Sequence, residues 1–427
     1  MKVQPATELR GDLAVPGDKS ISHRALLIAA IAEGESEITG FGTSADTLAT
    51  GDAVRALGAG VEVDGERVQV LGAGLRGLRP PTGPIDCRNA GTLMRLLPGI
   101  LAGQRGRFEL VGDESLSRRP LERVARPLRE MGARIETTDG HAPLVVEGGP
   151  LTPIRYELPV ASAQVKSCVL FAGLYADGGP TVVVEPIPTR DHSERMLEAA
   201  GARIRRKPGE AAIWPAERLR PLSLEIPGDF SSAAPFLVAA TLLPGSEVRL
   251  HGIGVNPTRT GLLAVLERMG ARVSVFNRRQ AAGEPVADLE VEAAELVATE
   301  IGPKEVPLLV DELPLFALAA AHAHGESVVR GAQELRVKES DRIESVTTAL
   351  RTLGIRITAS DDGFRVRGVP SRPKGGGVVE SRGDHRIAML GAVAGLVSRG
   401  GAEIRGAESV AVSFPGFFET LELLSVR

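Results

Sequence analysis

Two sequence patterns alternate along this 427-residue chain, and their repetition constrains the fold more than any other feature. The first pattern is a short helical segment that ends at a glycine and leads into alternating apolar residues, as in LREMGARIETTDG. A glycine at that place is typical of a turn from a helix into a strand. Five copies occur, and their glycines are Gly58, Gly132, Gly201, Gly270 and Gly354. The chain is therefore predicted to consist of repeated helix and strand units.

The second pattern consists of segments that are apolar almost all round and rich in alanine and leucine. Six copies occur: SHRALLIAAIAEG, GTLMRLLPGILAG, SAQVKSCVLFAGLYADG, SSAAPFLVAATLLPG, DELPLFALAAAHAHG and DHRIAMLGAVAGLVSRG. Helices without a polar face are buried in a core and do not lie on its surface. Because the chain is longer than one hydrophobic core usually organises, two domains of three repeats each are expected.

The same patterns predict where the domains begin and end. A sixth surface helix fits FFETLELL at residue 417, but the chain is expected to end before the strand that should follow. Residues 8–15 are expected to supply that strand and so complete the last repeat. The expected domains are 18–227 and 1–17 with 228–427, and the chain would cross between them near 16–18 and 227–229.

Composition and charge exclude several classes of protein. Hydrophobic residues make up 43% and charged residues 24% of the chain, as in ordinary globular proteins. A net charge of -4 argues against the broad basic face of a nucleic-acid-binding protein. The longest apolar runs, such as 387–397, are shorter than the roughly 18 residues of a membrane helix, and the first residues lack the apolar segment of a signal peptide. Cys87 and Cys168 form no disulfide framework. We expect a cytoplasmic monomer that binds neither nucleic acid nor membranes.

The segment VPGDKSISHR, residues 15–24, is similar to a phosphate-binding P-loop but lacks its spacing. A P-loop reads G-x-x-x-x-G-K-[ST]. Here Asp18 separates Gly17 from Lys19, and Gly11 is too far from Gly17. A P-loop kinase is therefore excluded, and another role is needed for Lys19.

Basic residues gather at the starts of the apolar segments and in the loops between them. Because a helix N-terminus carries a partial positive charge, a cation there is unfavourable unless an anion is also present. Simple capping accounts for Asp229 and its neighbouring serines, but not for these cations. They are Lys19, Arg24, Arg95, Arg118, Arg119, Lys166, Arg190, Lys338, Arg342, Arg382 and Arg386. The pattern predicts a binding site for a small ligand with several negative charges.

Seven motifs in chain order carry a resemblance to a known family: PGDKSISHRALLIAA, NAGTLMR, GDESLSRRP, ASAQVKS, DELP, RVKESDR and GDHRIAM. They closely resemble the ordered motifs of the 5-enolpyruvylshikimate-3-phosphate synthases, and the similarity extends from residue 15 to the SFPGFFE segment at 413. The resemblance implies a fold of class α/β (α+β). It would be a two-domain inside-out α/β barrel of six βαβαββ repeats, three per domain, with buried parallel helices.

The activity implied by the resemblance is transfer of the enolpyruvyl group of phosphoenolpyruvate to the 5-hydroxyl of shikimate 3-phosphate, with release of phosphate. The reaction would proceed by addition and elimination through a tetrahedral intermediate, on the shikimate pathway to chorismate and the aromatic amino acids. The family uses no metal and no organic cofactor. The histidines of this chain, such as His322 and His324, have no metal-ligand spacing.

The matching motifs also imply which residues contact the substrates. Those implied for shikimate 3-phosphate are Lys19, Ser20, Arg24, Ser162, Ala163, Gln164, Arg190, Asp311 and Lys338. Those implied for phosphoenolpyruvate are Lys19, Gly91, Arg119, Gln164, Arg342 and Arg386. In the reaction an acid must protonate carbon 3 of phosphoenolpyruvate, and a base must take the proton of the attacking hydroxyl. Asp311 is expected to be the base and Glu339 the acid, and Lys19 could share either proton transfer.

Two positions depart from the family pattern. Some members have a lysine just before the [ST]-F-P segment as an additional contact to phosphoenolpyruvate, where this chain has Val412. Ala163 stands where other members have serine, which leaves a backbone amide to serve the phosphate. Glyphosate inhibits the family at the phosphoenolpyruvate site, and insensitive members often have alanine where this chain has Gly91. The chain is therefore expected to be a glyphosate target.

Two alternative functions share the implied fold. UDP-N-acetylglucosamine enolpyruvyl transferase typically has a cysteine in the loop that corresponds to GDESLSRRP, and Lys-Asn at the first helix start. This chain has no cysteine in that loop and reads Lys19-Ser20. The other alternative, a non-catalytic binding protein, is disfavoured by intact Lys19, Asp311, Glu339 and Arg342.

Overall fold

The six apolar segments form helices that are buried along nearly their whole length. The structure is a computed structural model and describes residues 1–281 and 283–427. The helix Phe230–Leu242 is buried from its first residue to Thr241, and the helix Leu313–Ala321 is buried at every residue. Because a helix without a polar face is stable only when other elements cover all of it, the helices form the interior and the sheets lie outside. The prediction of buried helices is confirmed.

Each repeat of the first half contains, in chain order, a buried helix, a strand, a surface helix and a β-hairpin; in the second and third repeats a short strand precedes the buried helix. The chain begins with the strands β1 (Lys2–Val3) and β2 (Glu8–Ala14). The first repeat contains α1 (Lys19–Ala30), β3 (Glu33–Thr39), α2 (Ala45–Ala56), β4 (Gly60–Asp64) and β5 (Arg67–Ala73). The second contains β6 (Ile85–Asp86), α3 (Gly91–Leu101), β7 (Gly106–Val111), α4 (Glu114–Ser117), α5 (Glu122–Glu130), β8 (Arg134–Thr138) and β9 (His141–Gly148). The third contains β10 (Arg155–Glu157), α6 (Ala163–Gly173), β11 (Thr181–Val184), α7 (His192–Ala199), β12 (Ile204–Lys207) and β13 (Glu210–Ile213).

The fourth and fifth repeats follow the same order, whereas the sixth has only one short strand after its surface helix; two short 3-10 helices are added. The fourth repeat contains β14 (Ser223–Glu225), α8 (Phe230–Leu242), β15 (Glu247–Gly254), α9 (Gly261–Arg268), β16 (Arg272–Ala281) and β17 (Glu284–Glu292). The fifth contains β18 (Glu300–Ile301), α10 (Val306–Leu309), α11 (Leu313–Ala321), β19 (Glu326–Val329), the 3-10 helix Gln333–Val337, α12 (Arg342–Thr352), β20 (Arg356–Ser360) and β21 (Gly363–Arg367). The sixth contains β22 (Gly377–Glu380), α13 (His385–Leu396), β23 (Ala402–Arg405), the 3-10 helix Ala407–Val412, α14 (Phe417–Leu424) and β24 (Ser425–Val426).

The repeated glycines end the surface helices as the sequence predicts. Each lies two residues beyond the last residue of α2, α5, α7, α9 or α12. Their φ angles lie between +87° and +105°, a region that residues with a Cβ rarely adopt. The glycine therefore lets the chain turn from the helix into the following strand.

The strand that precedes a buried helix usually lies parallel to the strand that follows it. The second and third repeats show this arrangement, in the sheets β6-β7-β9-β8 and β10-β11-β13-β12. In the first and fourth repeats, the strand that precedes each buried helix instead joins the sheet of the other repeat. β14 lies parallel to β3 in the sheet of the first repeat, and β2 lies parallel to β15 in the sheet of the fourth.

The expectation that residues 8–15 complete the last repeat is therefore wrong. β2 fills the place beside β15 that the exchange of β14 leaves open, and it pairs with β24 only at Glu8 and Leu9. The last repeat takes β1 as the third strand of its sheet, in the order β1-β23-β22. The chain also forms the short strand β24 after α14, where the sequence analysis expected it to end.

The chain divides into two compact units, each with its own hydrophobic core. The first unit comprises 17–227 with 280–284, and the second comprises 1–16, 228–279 and 285–427. In the first unit the Asp18 amide donates to the Pro227 carbonyl at 2.8 Å. In the second unit the Asp229 amide donates to the Pro16 carbonyl at 2.9 Å.

Two short pieces differ from the expected domain boundaries. Gly17 and residues 280–284 belong to the first unit, although the sequence analysis assigned them to the other domain. The reason for 280–284 is local contact. His192 Nδ1 lies 2.8 Å from Glu284 Oε1, and Arg195 Nη1 donates to the Gly283 carbonyl at 2.8 Å.

None of the helices in the described part of the chain combines the length and the apolar character needed to cross a membrane.

Candidate active site

The first helix start carries Lys19, the residue that the P-loop comparison left unexplained. Asp18 caps α1, because its Oδ1 accepts a hydrogen bond from the Ile21 amide at 2.9 Å. Lys19 Nζ lies 2.9 Å from Asp46 Oδ2, at the start of α2, and the Lys19 side chain is 19% exposed. The ammonium is therefore held in place and still reaches solvent.

Arg24 lies one turn further along α1 and is buried. Its Nε donates to Ser193 Oγ at 2.7 Å, its Nη2 to Ser167 Oγ at 3.0 Å and its Nη1 to the Ser20 carbonyl at 2.9 Å. Burial lowers the pKa of Arg24 to about 10, against the opposing effect of Glu194. The guanidinium therefore still carries its charge at neutral pH.

Two arginines lie against the start of α3. The helix begins at Gly91 without a side-chain cap. Arg119 Nη2 donates to Asn89 Oδ1 at 2.9 Å, in the turn before the helix. A Cβ added at Gly91 would lie 2.9 Å from Arg119 Nη1 and 3.1 Å from Arg95 Nη1. The absence of a side chain at Gly91 thus allows both guanidinium groups to approach the helix start.

Gln164 joins the starts of α3 and α6. Its Oε1 accepts from Arg95 Nη1 and its Nε2 donates to Thr92 Oγ1, both at 3.1 Å. Ser162 caps α6, and its Oγ accepts from the Val165 amide at 3.4 Å. Ala163 is the first residue of α6, so its contribution to a ligand would come from the backbone.

Arg190 stands in the loop before α7, close enough to Arg24 to lower its pKa. This loop is fixed by Lys166, which sequence analysis counted among the cations of the anion site. Lys166 Nζ lies 2.7 Å from both Glu185 Oε1 and Glu194 Oε1, and its side chain is 1% exposed. Burial would lower the pKa of Lys166, but Glu194 and Glu185 outweigh it and raise this pKa. Lys166 is therefore part of a buried ion cluster and does not belong to the anion site.

In the second unit three carboxylates surround Arg342 at the start of α12. Its Nη2 lies 2.6 Å from Glu339 Oε2, its Nη1 3.2 Å from Asp311 Oδ1 and its Nε 2.9 Å from Asp384 Oδ2. The Arg342 side chain is 2% exposed. Burial would lower its pKa, but Asp384, Glu339 and Asp311 together raise it. The structure thus brings the expected acid and the expected base onto one cation.

The remaining expected residues of the second unit lie beside this cluster in the chain. Lys338 is half-buried and precedes Glu339, directly after the 3-10 helix Gln333–Val337. Arg386 is buried at the start of α13, where Asp384 caps the helix by accepting from the Arg386 amide at 2.9 Å. Arg386 Nη1 donates to the Ser231 carbonyl at 3.2 Å, and its buried Nε has no hydrogen-bond partner among the described residues. Such a nitrogen is costly unless a ligand or water satisfies it.

Asp229 and Val412, which the sequence also singled out, both lie at the end of a helix. As the capping interpretation predicts, Asp229 caps α8 by accepting from the Ser231 amide at 2.8 Å; it also pairs with Arg259 at 3.0 Å. Val412 ends the 3-10 helix that precedes the SFP segment. Within the described ranges no group of three histidine, cysteine or acidic side chains is arranged to hold a metal ion.

Four polar residues that were not predicted from the sequence hold side chains expected to bind the substrates. Asp46 and Asp384 pair with Lys19 and Arg342, and both stand at helix starts in the sequence, which is a signal that could have found them. Ser167 and Ser193 hold Arg24. They lie inside the ASAQVKS motif and just after Arg190, and only the folded chain shows that they meet.

Comparison with known proteins agrees with this arrangement of repeats and helix starts. A sequence model of the family EPSP synthase (3-phosphoshikimate 1-carboxyvinyltransferase) matches residues 3–421. A protein of Acidithiobacillus ferrooxidans named 3-phosphoshikimate 1-carboxyvinyltransferase is 52% identical over 416 residues, 97% of this chain and 95% of that protein. A protein of the same name from Xanthomonas euvesicatoria is 52% identical over 414 residues, covering 96% of this chain and 93% of its own.

Solved structures show the same relationship. The EPSP synthase of Acinetobacter baumannii superposes with a TM-score of 0.88 at 43% identity and covers 100% of this chain and 98% of that one. The enolpyruvyl transferase NikO of Streptomyces tendae has a TM-score of 0.81 at 22% identity, over 99% of this chain and 96% of that one. At 22% identity the likeness to NikO shows a shared fold only. This chain therefore belongs to the class of proteins with the enolpyruvyl transferase fold. Within this class the chain belongs to the EPSP synthase family, whose named members are transferases.

Proposed function

We propose that this protein transfers the enolpyruvyl group of phosphoenolpyruvate to the 5-hydroxyl of shikimate 3-phosphate and releases phosphate. The observation that carries the proposal is the 52% identity, over 97% of the chain, to a protein named for this reaction. The structure supports it independently, because cations gather at uncapped or ligand-accessible helix starts, where two multiply charged anions can bind. The reaction is a step of aromatic amino acid biosynthesis.

For shikimate 3-phosphate we propose contacts from the residues that the family motifs indicate. In the first unit Lys19, Ser20 and Arg24 would bind its anionic groups, and Ser162, Ala163 and Gln164 would bind the phosphate and ring. Arg190 supports this assignment because it lies near Arg24, so that two cations adjoin one region of the unit. In the second unit Asp311 and Lys338 are assigned to the ring hydroxyls.

For phosphoenolpyruvate we propose contacts from the residues that the family motifs indicate, namely Lys19, Gly91, Arg119, Gln164, Arg342 and Arg386. A carboxylate and a phosphate require several charge-assisted donors. The Arg119 guanidinium supports the assignment because it lies against the Gly91 helix start, where backbone amides and a cation can share one anion. The buried Arg386 Nε, without a partner among the described residues, is a second donor that an anion would satisfy.

The chemistry needs a base for the hydroxyl proton and an acid for carbon 3 of phosphoenolpyruvate. We assign Asp311 as the base and Glu339 as the acid, and Lys19 could share either proton transfer. As the 5-oxygen bonds to carbon 2, carbon 3 gains a proton, which gives a tetrahedral intermediate. Loss of a proton from carbon 3 then expels phosphate. Because Arg342 stabilises the ionised form of Glu339, we propose that an anion of phosphoenolpyruvate takes over this hydrogen bond and so allows Glu339 to carry a proton.

The test is an assay of phosphate release from phosphoenolpyruvate with each of two acceptors. Shikimate 3-phosphate should support turnover, and UDP-N-acetylglucosamine should not. Turnover only with the nucleotide sugar would favour the sister enzyme, and turnover with neither acceptor, alongside tight calorimetric binding of shikimate 3-phosphate, would favour a non-catalytic binding protein. Asp311→Asn should abolish turnover while shikimate 3-phosphate still binds.

We also propose that the protein is a cytoplasmic monomer that uses only small-molecule partners and is inhibited by glyphosate at the phosphoenolpyruvate site. Sedimentation at micromolar concentration tests the monomer, since a dimer would sediment at twice the mass.

A further inference from the structure

Arg24 is buried, like Arg342, Lys166 and Arg259, but differs from these three cations in what holds it. Arg342 and Lys166 are surrounded by carboxylates, and Arg259 pairs with Asp229 and Glu312. The hydrogen bonds of Arg24 in the described part of the chain go to two serine hydroxyls and one carbonyl oxygen. Its position is therefore fixed by groups that carry no charge.

The two hydroxyls can act toward Arg24 only as acceptors. Ser193 Oγ donates its proton to Ser167 Oγ at 2.7 Å, and Ser167 Oγ donates its own to the Ala163 carbonyl at 2.7 Å. A hydroxyl has a single proton to donate. Because both protons point away from Arg24, the lone pairs of the two oxygens face its Nε and Nη2. The chain of hydrogen bonds also ties Arg24 to the first turn of α6.

The acid with the largest electrostatic effect on the pKa of Arg24 is paired with another cation. Glu194 raises the pKa of Arg24 through its charge, yet its Oε1 lies 2.7 Å from Lys166 Nζ. Lys166 thus engages the carboxylate that could otherwise neutralise Arg24. The guanidinium has five N–H groups, and its three hydrogen bonds leave one on Nη1 and one on Nη2 that can donate to a carboxylate or phosphate.

We propose that Ser167 and Ser193 are positioning residues that orient Arg24 toward the acceptor substrate while leaving its charge available for an anion of that substrate. The proposal rests on the assignment of shikimate 3-phosphate as that substrate. Neither serine touches the substrate, and both act through the guanidinium. A carboxylate in their place would orient Arg24 equally well but would compete with the substrate for its charge.

The test compares Ser193→Ala and Ser167→Ala with wild type in steady-state kinetics and in calorimetric titration with shikimate 3-phosphate. Each alanine should raise the KM and the Kd for shikimate 3-phosphate by roughly tenfold, since a hydrogen bond to a charged group is lost. The KM for phosphoenolpyruvate should stay within about twofold. Ser193→Thr keeps the hydroxyl and should bind shikimate 3-phosphate better than Ser193→Ala.

Ser36→Ala is the matched control, because Ser36 is a buried serine of the same unit whose Oγ accepts from the Leu222 amide at 2.9 Å. It should lower thermal stability without changing either KM. If Ser167→Ala and Ser193→Ala also lower thermal stability without changing either KM, the two serines are only structural and the inference is overturned. Should Ser193→Ala fail to fold, Ser167→Ala still tests the pair.

A double-mutant comparison separates this inference from the proposed function. In the Arg24→Ala background, Ser193→Ala should cause no further loss of shikimate 3-phosphate affinity, because the serine acts through Arg24. If Arg24→Ala itself leaves this affinity unchanged, the assigned role of Arg24 in the proposed function fails. If Arg24→Ala weakens binding and both serine variants bind as wild type, only the positioning role fails.

Discussion

Arg119 and Arg342 were expected to bind the same substrate, but their surroundings differ. Arg119 contacts the neutral Asn89 side chain, whereas Arg342 is enclosed by three carboxylates. Replacing Arg342 by alanine would leave buried Asp384 without its cation, and breaking a buried pair in this way destabilises a protein strongly. Loss of activity in such a variant would therefore mix folding with binding. Arg119 offers the cleaner test of the phosphoenolpyruvate site.

We expect Arg119→Ala to raise the KM for phosphoenolpyruvate much more than that for shikimate 3-phosphate. Loss of a charge-assisted pair should cost roughly 2 to 4 kcal/mol of binding free energy. The control is Arg118→Ala, because Arg118 is its neighbour but is 71% exposed and pairs with Glu114 at the surface. Steady-state kinetics with each substrate varied in turn gives both values. Equal increases in the two KM values would contradict the assignment of Arg119.

We expect Gly91→Ala to weaken glyphosate more than phosphoenolpyruvate. The added Cβ would lie 2.9 Å from Arg119 Nη1 and 3.1 Å from Arg95 Nη1, so both guanidinium ends must shift by a few tenths of an ångström. Flexible side-chain ends can make such a shift, so the variant should fold. Inhibition curves of both proteins give the comparison, with Gly51→Ala as control, since the nearest atom to its added Cβ is 4.0 Å away. A wild type that already resists millimolar-range glyphosate would refute the expectation.

At the scale of elements, the contact of α1 with α2 includes a histidine that cannot readily accept a proton. His23 Nδ1 lies 2.6 Å from Thr50 Oγ1. Burial first, then Lys19 and Arg24, hold the pKa of His23 well below 6.5. The imidazole is therefore neutral in the folded protein, whereas the unfolded chain takes up a proton as the pH falls through 6.5. Above that pH, His23 does not reduce the free energy of unfolding. Below it, proton uptake by the unfolded chain lowers the free energy of unfolding by up to about 1.4 kcal/mol per pH unit.

His23→Gln should accordingly make the first unit less sensitive to acid. Trp214 is the one tryptophan of the sequence and lies in the first unit, so its fluorescence during urea unfolding reports on that unit. Wild type should lose stability from about pH 6.5 downward, and the variant should lose less over the same range. Identical slopes in the two proteins would show that His23 does not titrate as we infer.

At the scale of the whole molecule, local charge and net charge predict opposite responses to salt. The net charge is -4, yet both proposed substrates are anions. If the net charge controlled their approach, added salt would screen a repulsion and raise kcat/KM. Cations at the helix starts would instead attract the substrates, and salt would weaken that attraction over a screening length of about 10 Å at 0.1 M.

We expect kcat/KM for phosphoenolpyruvate to fall severalfold between about 0.02 and about 0.3 M salt. Because screening acts on encounter and binding, kcat at saturating substrate should change little. A large fall in kcat would indicate damage to the enzyme. A rise of kcat/KM with salt would mean that the net charge outweighs the clustered cations.

Much of this architecture follows from sequence, because the signals that determine it are local. A helix without a polar face must be buried, and a glycine that ends a helix permits the left-handed turn, so the six buried helices and the five helix ends could be predicted. The resemblance to a family supplied the expected site residues. The strand exchange was beyond local reasoning. Nothing within 8–15 shows that it pairs with β15 instead of the last repeat, because that choice depends on β14 having joined β3 more than 180 residues away.

The partners of the charged side chains were likewise decided by tertiary structure. The sequence assigns Lys166 and Arg24 alike to an anion site, but folding places Glu185 and Glu194 on Lys166, whereas the hydrogen bonds of Arg24 among the described residues go to neutral acceptors. A charge in a sequence shows what a residue can bind. Which of its possible partners it meets depends on the packing of helices that are distant in the chain, and this packing determines whether the charge is neutralised within the protein or kept for a ligand.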